Sequence, residues 1–144
     1  MNVLGLEFPD TLHYHVAHQV WARPDGDGLV AVGITALGIR LSGEIYMCRP
    51  KSVGQVVEQG RSVAVVELAK AIVSVKSPLS GEVVEVNAAL STQPELVHID
   101  PYGRGWLVRL KPAAWETERT VLVHGDAVPA AMAHHAWLNN VEPS

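Results

Sequence analysis

The sequence predicts a mainly β protein with one short helix in its first third and helices in its C-terminal segment. Three observations carry that expectation. Twelve glycines and nine prolines in 144 residues imply frequent turns and therefore short elements. Residues 82–86, Glu-Val-Val-Glu-Val, mix acidic and β-branched apolar side chains as a half-buried strand does. Two apolar, β-branched runs, 62–66 and 71–75, flank a short interruption that contains Lys70, the pattern of a hairpin with a lysine at its tip.

The elements follow in order. Residues 14–22 and 28–34 read as strands joined through Pro24-Asp25-Gly26-Asp27-Gly28, a dense turn signal. Residues 35–41 fit one or two helical turns, with Thr35 as N-cap and Gly43 just past the end. A short strand is expected at 44–48, a loop at 50–60, the hairpin arms at 62–66 and 71–75, and further strands at 82–86 and 106–110. Beyond Pro112 the pattern becomes helical over 114–123 and 127–138, with Pro129 near the start of the second helix. Ser42-Gly43-Glu44-Ile45 recurs as Ser80-Gly81-Glu82-Val83, which suggests a duplicated unit whose two copies each open a strand. The chain reads as a single domain: a β core over 12–112 and a helical segment over 113–144.

Composition narrows the function classes. Hydrophobic residues make up 48% and charged residues 18%, as in ordinary soluble globular proteins. The net charge of −4 is dispersed, so there is no basic footprint for nucleic acid and no basic amphipathic helix for a membrane surface. No apolar run approaches the ~20 residues that span a bilayer, and residues 1–10 lack the basic start and apolar core of a signal peptide. A single cysteine, Cys48, excludes an internal disulfide, and together these features favour the cytoplasm.

Lys70 is the residue whose placement asks for chemistry. A lysine at a hairpin tip offers a primary amine to a modifying enzyme, at a fixed position on a stiff support. Such a support suits a covalently attached, swinging prosthetic group. Of the four lysines, at 51, 70, 76 and 111, only Lys70 has this context. The ordinary alternative is a solvated surface lysine.

Five segments, in order, resemble the glycine-cleavage H-protein family of lipoyl carriers. They are Val32-Gly33-Ile34-Thr35; residues 64–71 with Val66-Glu67-x-x-Lys70-Ala71; Ser77-Pro78-Leu79-Ser80-Gly81 running on to Asn87; Pro94-Glu95-Leu96-Val97; and Pro101-Tyr102-Gly103-Arg104-Gly105-Trp106. The resemblance covers residues 12–112. It implies a barrel-sandwich hybrid fold of the lipoyl/biotinyl-carrier kind and lipoic acid in amide linkage to Lys70, with Glu67, Ala69 and Ala71 as the attachment context. It also implies a non-catalytic carrier that a lipoate ligase or a lipoyl/octanoyl transferase recognises. Biotin carriers of this fold flank their lysine with methionines; here the neighbours are Ala69 and Ala71.

The chain departs from the family at two acidic positions. The family usually has His-Glu before the tryptophan of its first strand, where this chain has Gln19-Val20-Trp21, and an aspartate four residues after the lysine, where Ser74 stands. Those acids would partner a cationic aminomethyl cargo. Their absence, with the Trp21-Ala22-Arg23-Pro24 segment and the Asp100 to Leu110 stretch, is similar to the lipoate-binding proteins of sulfur oxidation, which work with a heterodisulfide-reductase-like complex. That sulfur-shuttling branch is the expectation carried forward. The alternative is aminomethyl transport between glycine decarboxylase, aminomethyltransferase and dihydrolipoyl dehydrogenase. A further alternative is an unmodified binding module of the same fold.

Other constellations carry less. His13 and His15 share a strand face with His18 nearby but have no carboxylate or thiolate partner, so no metal site is assigned. His134 and His135 are expected at the surface, and Cys48 as a small buried hydrophobe. Trp21, Trp106, Trp115 and Trp137 are expected to pack the core and helices. Glu67, Glu82 and Glu85 could form an acidic rim around the arm. Gly103 and Gly105 are not followed by the Lys-Ser/Thr of a phosphate loop, and no nucleophile triad is recognisable.

Overall fold

The computed structural model describes residues 1–141. In chain order its strands are β1 (Asn2–Val3), β2 (Leu6–Glu7), β3 (His13–His15), β4 (Val20–Pro24), β5 (Val30–Ile34), β6 (Met47–Pro50), β7 (Val56–Val57), β8 (Ser62–Glu67), β9 (Ile72–Lys76), β10 (Gly81–Val86) and β11 (Val108–Pro112). The α-helices are α1 (Ala36–Ser42), α2 (Leu96–Ile99), α3 (Trp115–Glu118) and α4 (Val128–Leu138), with 3-10 turns at Ala88–Ser91, Arg119–Val121 and Gly125–Ala127. Six strands form one antiparallel sheet in the order β3-β4-β5-β11-β10-β7, three form another in the order β6-β8-β9, and β1 pairs with β2. The mainly β expectation holds. No helix among the described residues is long and apolar enough to cross a membrane.

Strand periodicity sorts the residues of β4 and β5 into two cores. Side chains alternate across a strand, so Val20, Ala22, Val30 and Val32 face the space between the two sheets, with Val63, Val66 and Val75 from the smaller one. Trp21 and Ala31 face the other way, into a second cluster with Leu37 of α1 and Val128, Met132 and Ala136 of α4. The C-terminal helix thus covers the outer face of the large sheet, which is why all five residues of β5 are buried. Gly33 is required there. A Cβ at that position would overlap the fully buried Trp21 indole.

Several sequence expectations shift. The strand expected over 14–22 breaks into β3 and β4, because Gln19 takes a left-handed φ of 53° and Val16 to Gln19 form a turn. The strand expected at 44–48 begins three residues later, as β6. The helix expected over 114–123 is only α3 followed by a 3-10 turn. By contrast, α1 ends as read: the Thr35 hydroxyl accepts the Gly38 N–H, and Gly43 caps the C-terminus at φ 76°. The apparent repeat does not mark equivalent structure. Gly43 closes a helix, whereas Gly81 sits in a strand where an added Cβ would meet the Lys111 carbonyl oxygen. The paired valines of β10 are explained by a register shift between Val83 and Glu85, a bulge that returns Glu85 to the exposed face.

Candidate functional site

Lys70 sits at the tip of the β8–β9 hairpin. The arms pair Glu67 with Ile72, Val66 with Val73 and Val65 with Ser74. One main-chain bond closes the turn, from the Leu68 N–H to the Ala71 carbonyl at 2.8 Å. Ala69 and Lys70 are its two central residues, and neither needs a positive φ, so both tolerate a side chain. Ala69, Lys70, Ala71 and Ile72 are exposed. Among the described residues no hydrogen bond or ion pair engages the Lys70 ammonium. The base of the hairpin is the opposite case. Ser77 is fully buried, its N–H donates to the Arg61 carbonyl at 2.7 Å, and its hydroxyl donates to the Leu79 carbonyl at 2.6 Å.

The other lysines stand on regular structure: Lys76 on β9, Lys111 on β11, and Lys51 directly after β6, where its N–H bonds the Val63 carbonyl. Glu67 lies on the hairpin and pairs with Arg49 at 3.4 Å. Glu82 and Glu85 lie on the larger sheet, and Glu85 is engaged by Arg109 at 3.0 Å. The acidic rim expected around the arm is therefore not gathered there; only Glu67 belongs to the hairpin.

An open cleft of about 440 Å³ runs beside the hairpin. Leu68 and Val73 form its hairpin wall, Leu41 and Ser42 its α1 wall, and His18, Gln19 and His135 its far side. A deeper chamber of about 120 Å³ shares His18, Gly38, Ser42 and Val73 and adds Val20, Ile34, Ile45 and Ser74. Both positions where acids were expected, Val20 and Ser74, line this chamber. Among the described residues no carboxylate lines either space, and the ionisable groups there are His18 and His135. Among the described residues the buried Ser74 hydroxyl has no hydrogen-bond partner.

The histidines form two stacks. The His13 ring lies on His124 at 4.0 Å between centroids and meets Trp115 edge-on, and His124 Nδ1 is 2.9 Å from the Leu12 carbonyl. His15 lies on His18 at 4.6 Å. Burial lowers the pKa of His13 to about 4, with the neighbouring His124 and Arg119 charges adding to it. Desolvation also lowers His15, helped by His18, and lowers His18, helped by the Lys76 charge. His135 is lowered by desolvation and by His134. Among the described residues no group of three or more His, Cys, Asp or Glu side chains could hold a metal.

Sequence reasoning located Lys70 but missed the cleft. Its walls come from the β3–β4 turn, α1, the hairpin and α4, and no local pattern joins those segments. His135, expected at the surface, lines the cleft, and Gln19 is buried, with its amide donating to the Val16 carbonyl at 2.8 Å and its carbonyl accepting the Thr35 hydroxyl at 2.6 Å. Cys48 is buried as expected, and burial pushes its thiol up to about 12. Trp21 is core, its indole N–H donating to the Pro101 carbonyl at 3.1 Å, but Trp137 is exposed rather than packed. Gly105 lies where a Cβ would meet the Leu96 carbonyl, so it serves close packing of the 100–106 loop.

Comparison with known proteins agrees with this architecture. The family model described as "Glycine cleavage H-protein" matches residues 12–135. The chain is 39% identical over 134 residues to glycine cleavage system H protein 5 of Aquifex aeolicus, covering 90% of this chain and 88% of that one. It is 46% identical over 107 residues to the glycine cleavage system H protein of Thermus thermophilus, covering 74% and 82%. The crystal structure of a glycine cleavage system H protein from Mycobacterium marinum superposes with a TM-score of 0.71 at 31% identity, over 92% of this chain and 99% of that one. With this fold, these matches and a hairpin of this form, the chain belongs to the glycine cleavage H-protein family.

Proposed function

We propose that Lys70 carries lipoic acid in amide linkage and that the chain is a non-catalytic, cytoplasmic carrier of the glycine cleavage system. In this reading it moves an aminomethyl group among glycine decarboxylase, aminomethyltransferase and dihydrolipoyl dehydrogenase, after a lipoate ligase or a lipoyl/octanoyl transferase has modified it. The observation that carries the reading is the tip itself: an exposed, unpartnered lysine centred in a two-residue turn. The names of the relatives favour aminomethyl cargo over the sulfur-oxidation role that the missing acids first suggested.

The surroundings suit such a group. An acylated lysine loses its charge, and its long aliphatic stem is compatible with a cleft walled by Leu41, Leu68 and Val73. When bound, the group supplies a disulfide that opens to two thiols. The protein's part is to hold the arm's root rigid, through the buried Ser77 anchor, while leaving the tip reachable.

One observation favours a second reading. Among the described residues the chamber is lined by Val20 and Ser74 and by no carboxylate, so a carrier of sulfur species for a heterodisulfide-reductase-like complex remains the alternative. Incubating the lipoylated chain with glycine and glycine decarboxylase separates the two. A glycine-dependent mass gain that Lys70→Arg abolishes supports aminomethyl transport. No gain with glycine, together with a gain from a persulfide donor, supports the sulfur reading instead.

A further inference from the structure

We propose that His18 sets the charge class of the arm end that the cleft retains. As a neutral imidazole it accepts a hydrogen bond from a cationic end; as an imidazolium it repels that end and attracts an anionic one. The inference rests on the reading of Lys70 as the bearer of an arm. The occupant of the cleft is therefore the group attached to this chain's own hairpin, two of whose residues, Leu68 and Val73, form a wall of that cleft.

The geometry gives His18 this position. It belongs to both the outer cleft and the inner chamber, so an arm end passing from one to the other meets its ring. Among the described residues, the groups facing it are basic or neutral. His15 on β3 is stacked against it at 4.6 Å, Lys76 on β9 acts on it electrostatically, and His135 and Asn139 close the cleft from the C-terminal side. Among the described residues no carboxylate lines either space, so they offer a cationic end no ion-pair partner. It needs a neutral acceptor, and an unprotonated imidazole nitrogen is one.

Desolvation and Lys76 lower the His18 pKa below its usual value, so the ring is neutral at pH 7. Linkage fixes the signs. A cation that binds only the neutral form lowers the His18 pKa further, and its retention is lost as pH falls through that pKa. An anionic end binds the imidazolium better, raises the pKa, and is retained better as pH falls. One residue thus gives opposite responses to the two cargo classes.

The test uses Lys70→Cys alkylated with three arms of equal length ending in ammonium, methyl or carboxylate. Buried Cys48, with its raised thiol pKa, should stay unmodified, and a single mass increment checks this. The His18 titration is followed by NMR, with His18→Gln assigning its resonances. Relative to the methyl arm, the ammonium arm is expected to lower the His18 pKa by at least ~0.5 unit and the carboxylate arm to raise it. Identical titrations with all three arms, or shifts of one sign for both charged arms, overturn the proposal. Because the arms are attached chemically, this outcome is independent of lipoylation. A failure of the lipoyl reading would appear separately, as a wild-type chain without its mass increment.

Discussion

Two of the hairpin turns of this molecule, β4–β5 and β8–β9, are built on opposite plans. The β4–β5 turn is clamped: the Asp25 N–H bonds the Leu29 carbonyl at 2.8 Å, the Leu29 N–H bonds the Asp27 carboxylate at 3.1 Å, and Gly28 takes a φ of 85°. The Arg109 guanidinium then binds Asp25 at 3.0 Å, Asp27 at 2.7 Å and Glu85 at 3.0 Å. The β8–β9 turn has one main-chain bond and an unpartnered lysine. Both hairpins rest on the same core, so overall stability does not explain the contrast. A turn that serves only the fold can be tied down; one that must present an amine to other enzymes has to stay bare, with its rigidity supplied from the base.

If that is right, substitutions in the β4–β5 hairpin should be costly and those at the Lys70 tip nearly free. The largest effect is expected at Gly33. Gly33→Ala places a methyl group into the Trp21 indole, and in a well-packed core such overpacking costs about 3 kcal/mol. Denaturant unfolding should show this as a lower midpoint at an unchanged slope. A stability equal to wild type would mean that the Trp21 shoulder is softer than described.

A smaller effect is expected at the clamp. Arg109→Gln leaves Asp25, Asp27 and Glu85 without their shared cation. Exposed ion pairs are weak singly but gain in networks, so Tm should fall by about 3 °C, and the difference should shrink as salt screens the wild-type network. A salt-independent loss would indicate lost packing instead. Lys70→Ala is the matched control at the other turn and should leave stability within ~0.5 kcal/mol of wild type.

The same contrast explains what could be read from sequence. The turn at 24–28, the caps Thr35 and Gly43, and the Lys70 tip each depend on residues close in the chain, so local patterns located them. The break between β3 and β4 was invisible because it rests on a left-handed Gln19, a residue type that does not signal this conformation; contacts from Thr35 hold it there. The segment after Ala114 read as one helix but gives a short helix followed by a 3-10 turn. The repeat of Ser-Gly-Glu misled because glycine serves a helix end in one copy and a close sheet contact in the other. The cleft was the largest omission: His18, Ser42, Val73 and His135 meet only when α1, α4 and both sheets are assembled. The missing acids at Val20 and Ser74 were legible in sequence; that both positions line one chamber was not.

In the proposed function, the bare turn at Lys70 exists to carry a covalent arm. The most direct test is the intact mass of the chain purified from a host competent for lipoylation, with the modified residue located by peptide mapping. One lipoyl increment is expected, on Lys70, absent from Lys70→Arg although that variant unfolds at the wild-type temperature. An unmodified wild-type chain, or an increment on Lys51, Lys76 or Lys111, would contradict it.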